Sequence, residues 1–167
     1  MIDLCREIGC PRAEAERFLQ IGSRINVRYE GVYVAMATYL LPRWHGSPED
    51  VARFAKQSAD SNPGLGDVVY ARIATVALLI EGKDFPTKMP GFEWSRIRSG
   101  LMEIDRQYPD AARTQHLLAR FAFAYRDKAT AKVALLRLGA WDPVEGPGYW
   151  WTARNFASAQ KWALSVP

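Results

Sequence analysis

The chain has 167 residues, 49% of them hydrophobic and 12% aromatic. That is enough apolar material for a packed core, and it excludes a disordered segment. Its 22 basic and 18 acidic residues give a formal charge of +4 and are spread without a block of five or six like charges. This pattern serves solubility and argues against nucleic acid as a partner, and no apolar run approaches the roughly 20 residues of a membrane-crossing helix.

The N-terminal MIDLCREIGC carries Asp3, Arg6 and Glu7 before any apolar run develops, so no secretory signal is read there. The expected location is the cytoplasm, or the periplasm if a signal has been removed. Cys5 and Cys10 stand on either side of Gly9, ahead of Pro11. They lack the C-x-x-C spacing of redox and zinc motifs, and the expectation is two small, half-buried thiols near a helix end, with a disulfide between them as the alternative.

From Pro11 onward, breakers and 3.6-residue periodicity give seven or eight helices and no strand. PRAEAERFLQIGSRI starts on a proline and gathers Ala15, Phe18, Leu19, Gly22 and Ile25 on one face. YEGVYVAMATYLL places Tyr29, Tyr33, Met36, Ala37 and Leu40 in a stripe that Pro42 stops. SPEDVARFAKQSADS opens with Ser47 as cap, Pro48 at the first helical position and the acids Glu49 and Asp50 at the positive end of the helix dipole. GDVVYARIATVALLIEG is almost wholly apolar and is expected to form the spine of the core. KDFPTKMPG, with two prolines and a glycine, is expected to be a mobile loop. FEWSRIRSGLMEIDRQYP, ARTQHLLARFAFAYRD and KATAKVALLRLG complete the main set, and the tryptophan-rich tail is expected to wrap an apolar groove before a last short helix.

Small residues recur at helix-hairpin spacing. Ala119, Ala131 and Pro143 are each twelve apart, and Leu135 and Leu138 follow where large apolar residues belong. Ala15 and Ala37 sit twenty-two apart, and Ala52, Ala59 and Pro63 resume a similar pattern beyond PRWHGS. This spacing resembles degenerate tetratricopeptide hairpins, although the tryptophan, leucine and glycine that open a standard repeat are missing. The fold class expected is therefore all-α, with antiparallel helical hairpins packed as a short tetratricopeptide-like superhelix, in one domain over residues 1–167 that is either the whole protein or the C-terminal part of a longer one. YLLPRWHGSPEDVARFA, GDVVYARIA and FAFAYRDKATAKVALLRLG also resemble an uncharacterised bacterial family of helical domains, with LLPRWHGS as the most specific part. That resemblance implies a bacterial source and a helical fold, and it transfers no catalytic residue.

The motif inventory offers no metal centre and no cofactor site: H-E-x-x-H, paired C-x-x-C and calcium-loop patterns are missing, and GLGD follows no strand. Arg96 and Arg98 are two apart on a helix and make no basic stripe. In PRWHGS, three readings compete. One makes His45 a general base oriented by Glu49 or Asp50, with Arg43 holding an anion. The favoured one makes the stretch a capped turn in which Trp44 is an apolar anchor. The third makes Arg43 and Trp44 a lip for a carboxylate-bearing ligand.

The expected work is binding of a protein or peptide partner without catalysis. The groove is expected to draw on Tyr29, Tyr33, Tyr70, Arg72, Gln115 and Arg120, with Arg43, Trp44 and His45 at its rim. Tyr149, Trp150 and Trp151 form a second candidate platform, since three adjacent aromatics cannot all face inward. The alternative function is an enzyme or regulatory domain that binds a small acidic ligand near His45.

Overall fold

Proline, capping hydroxyls and the apolar period set the helix ends. A computed structural model, which describes residues 1–139 and 152–165, has ten α-helices and no strand among the described residues. They are α1 (Ile2–Ile8), α2 (Arg12–Ile25), α3 (Glu30–Tyr39), α4 (Pro48–Ser61), α5 (Asp67–Glu81), α6 (Phe85–Lys88), α7 (Trp94–Gln107), α8 (Ala112–Ala124), α9 (Lys128–Leu138) and α10 (Ala153–Leu164). Pro48 occupies the first turn of α4 and the Ser47 hydroxyl accepts from the Asp50 N–H at 3.1 Å, as the sequence predicts. Asp127 caps α9 in the same way by accepting from the Thr130 N–H at 3.0 Å.

The chain divides into two compact units, Met1–Gly100 and Leu101–Pro167. In the first, α3 packs against α1, α2 and α5, while α4 and α5 form an antiparallel pair. The expected spine is α5: Val69, Tyr70, Ala71, Ile73, Ala74, Ala77 and Leu78 have essentially no exposed surface. In the second unit α8 and α9 make the tightest helix pair, and α10 packs on both. The small residues of the hairpin register, Ala15, Ala37, Ala52, Ala59, Ala119 and Ala131, are all buried, whereas Pro143 lies outside the described residues.

Three expectations require correction. Residues 2–8 form α1, whose C-terminus is closed by Gly9 in the left-handed region at φ 74°, a conformation that costs glycine little. Cys5 and Cys10 are joined by a disulfide across that turn, with Cα atoms 4.7 Å apart, so they are not free thiols. The KDFPTKMPG segment is no irregular loop: a 3-10 turn at Gly82–Asp84 leads into α6, and Phe85 and Met89 are buried. Pro86 fits the first turn of a helix, and the Phe85 ring lies 5.2 Å from that of Phe92.

Candidate binding cleft

The PRWHGS stretch closes the C-terminus of α3 with a dense set of backbone bonds. The N–H groups of Leu40 and Leu41 donate to the carbonyls of Met36 (3.0 Å) and Thr38 (3.2 Å). Those of Trp44 and His45 donate to Leu41 (2.9 Å) and Tyr39 (3.1 Å). Gly46 is required by close approach, since a Cβ there would overlap the Leu40 carbonyl.

His45 stacks on Tyr39 with ring centroids 4.6 Å apart, and its Nε2 lies 2.9 Å from the Arg6 carbonyl oxygen. A carbonyl only accepts, so Nε2 carries the proton. The Tyr39 hydroxyl donates to the Cys10 carbonyl at 2.7 Å. Both rings of the α3 terminus thus hold the disulfide-closed turn between α1 and α2. Trp44 is partly exposed beside two guanidinium groups, those of Arg6 at 5.0 Å and Arg43 at 5.8 Å from the ring centroid, within cation–π range.

In the first unit, most of the other sequence candidates are engaged within the fold. Tyr33 is buried and its hydroxyl accepts from Asn62 Nδ2 at 3.2 Å, while the same amide group also donates to the Val27 carbonyl at 2.8 Å. Tyr70 is fully buried; its hydroxyl accepts from the Glu93 N–H at 2.9 Å, and burial raises its pKa above the usual tyrosine value. Arg72 is spent on Glu30 at 2.7 Å, and Tyr29 is exposed. In the second unit Gln115 is buried and donates to Asp105, which also pairs with Arg137. Arg120 is half-buried on α8, and burial lowers its pKa. Tyr149, Trp150 and Trp151 lie outside the described residues.

A cleft of about 220 Å³ lies instead between α2 and α4, with α3 at its base. Buried Met36 and Leu40 and half-buried Leu19 and Phe54 give it apolar walls, and Gln20 and Gln57 contribute one amide each from α2 and α4. Its charged rim is a connected set. Arg12 donates through Nε to Glu16 at 2.8 Å and through Nη1 to Asp50 at 3.0 Å, and Arg53 Nη2 reaches the same Asp50 oxygen at 2.6 Å. Asp50 is pulled below the usual carboxylate range, chiefly by the bond from Arg12, with Arg53 and the Ser47 hydroxyl adding to it. Each guanidinium has five N–H donors, so both keep capacity beyond these pairs. The arrangement fits a ligand with an apolar side chain next to a carboxylate.

Among the described residues, Asp50, read from the sequence as an orienter of His45, is the one site candidate that lines this cleft. The Arg12–Glu16 spacing of four was visible as a helix pair, but Arg12 and Asp50 are 38 residues apart and meet only because α2 and α4 both pack on α3. Cys5, Cys10 and Glu14 bring three donor atoms within 4.8 Å of one another, but the two sulfurs are engaged with each other.

No family model, curated protein or solved structure matches this chain.

Proposed function

We propose that the protein is a tetratricopeptide-like binding module that takes an extended peptide or protein segment in the α2–α4 cleft. The observation that carries this reading is the cleft itself, in which apolar walls lie under a rim of two arginines, the two carboxylates paired with them and two side-chain amides. Helix α2 pairs with α3 and α4 with α5, so the cleft lies between the first helices of two successive hairpins. In helical repeats that surface is the usual place for an extended ligand. The buried alanines of the hairpin register support the same reading.

A partner segment with a leucine- or phenylalanine-sized side chain beside a carboxylate would use both features. The test is fluorescence polarisation against an array of labelled acidic–apolar peptides, comparing the native chain with Arg53→Glu and Phe54→Ala. Anchor residues cost upwards of about 1 kcal/mol when removed, so the best peptide should bind about fivefold or more weakly to each variant. A peptide bound equally by all three proteins would place the site elsewhere, and Arg43→Ala and Trp44→Ala test the original rim.

The alternative, an enzyme or regulatory domain acting near His45, has less support because Nε2 is committed to the Arg6 carbonyl. The disulfide also bears on location. Such bonds persist in oxidising compartments, which favours an extracytoplasmic site over the reducing cytoplasm expected from the sequence. No described helix is long and apolar enough to cross a membrane.

A further inference from the structure

Between Glu16 and Glu30 the chain carries Arg17, Arg24 and Arg28 and no acid. The two flanking acids are already used, Glu16 by Arg12 and Glu30 by Arg72. None of the three arginines forms an ion pair among the described residues, and all three are exposed. Arg17, Ile21 and Arg24 follow at four and three residues and so share one face of α2.

Interleaved with these cations are aliphatic and aromatic side chains that the fold leaves in solvent: Ile21 is 44% exposed, Ile25 81%, Val27 51% and Tyr29 59%. Ile25 ends α2, and Val27 and Tyr29 stand on the turn that joins it to α3. That turn is not loosely held, since the Val27 carbonyl accepts from buried Asn62 and the Arg28 N–H donates to Asn26 Oδ1 at 3.0 Å. The exposed side chains are thus presented by a fixed backbone. Beside the turn, Ile21 and Tyr29 also line a recess of about 340 Å³ whose other walls include Ile2, Phe18, Val32 and Ala35.

We propose that this turn and the basic face of α2 form a peripheral contact with an anionic lipid bilayer. Arg17, Arg24 and Arg28 would meet headgroup phosphates, Ile25 and Val27 would enter the boundary between headgroups and acyl chains, and the recess offers space for part of one chain. The charge supplies the complementarity: an uncompensated cationic strip with aliphatic residues between the cations is the composition that binds negatively charged membrane surfaces in the plane of the interface. The contact is independent of the α2–α4 cleft and crosses no membrane.

The test is co-sedimentation of the intact chain with vesicles of phosphatidylcholine alone and of phosphatidylcholine with phosphatidylglycerol in equal parts. Binding is expected only to the anionic vesicles and should weaken as salt rises from about 0.05 to 0.5 M. Each arginine replaced by glutamine should lower the partition coefficient about fivefold, and the triple variant about a hundredfold. Ile25→Ser with Val27→Ser should weaken it about tenfold at unchanged charge. These side chains are exposed, and an unchanged circular dichroism melt separates lost binding from lost folding. The proposal is overturned by equal sedimentation with both vesicle types, by no sedimentation, or by insensitivity to the serine pair. Tight binding to soluble polyglutamate with none to vesicles would assign the strip to an acidic protein instead. Arg53→Glu in the cleft should leave vesicle binding unchanged, so the two sites fail or succeed separately.

Discussion

The two histidines show how differently one residue type is used. His45 is exposed at the surface of a turn and donates to a main-chain carbonyl, whereas His116 is buried on α8 with its ring 6.1 Å from that of Phe156. Burial holds the His116 pKa below its ordinary value of 6.5, because the imidazolium loses more hydration than the neutral ring. The sign of the consequence is fixed: as pH falls through the ordinary value the unfolded chain takes up the proton first, so stability is full above that pH and declines below it until the folded ring protonates. Chemical denaturation at a series of pH values between about 7 and 5 should show this loss, and His116→Gln should flatten it. A slope unchanged by the substitution would remove His116 from the account. The sequence sets His116 among apolar residues, in TQHLLARFAF, which suits burial. It could not show that His45 reaches a carbonyl 39 residues away.

At the scale of elements, what was legible tracks how local the determining interaction is. The start of α4 is written in Ser47, Pro48 and Asp50, three residues that act on one another within a single turn, and the structure places all of them as read. Long periodic helices such as α5 and α7 were equally plain. Helix α1 was not, because seven residues are too few to sustain a helix alone and its stability comes from packing on α3 and from the disulfide. The α2–α4 cleft was invisible for a related reason, since its rim joins the first turns of two helices 38 residues apart in the chain. The turn between α3 and α4 gives a prediction at this scale. Ser47→Ala should cost about 1 kcal/mol through loss of the cap. Gly46→Ala should cost about 1–3 kcal/mol, because its new methyl group must displace the Leu40 backbone. Urea unfolding of the two variants measures both, and a Gly46→Ala protein no less stable than Ser47→Ala would show that the turn yields easily.

For the molecule as a whole, the first unit is fastened at its beginning by a short covalent loop from Cys5 to Cys10, the less favoured of the two sequence readings because the pair matches no motif. The loop is small, so in the chain-entropy view it removes little freedom from the unfolded state, roughly 2 kcal/mol. That amount is still a sizeable part of the 5–15 kcal/mol by which a domain is ordinarily stable. The bond acts together with the carbonyl contacts made by Tyr39 and His45, which grip the chain at Cys10 and Arg6 on either side of Gly9. Reduction alone therefore leaves two anchors in place, and the expected result is a lowered melting temperature with a cooperative transition retained. Scanning calorimetry with and without a phosphine reductant tests this, with Cys5→Ser/Cys10→Ser as the control that should melt at the reduced temperature and ignore the reductant. Finding two titratable thiols in protein prepared without reductant, or no difference between the two scans, would show that the α1–α2 turn is held by its carbonyl contacts alone.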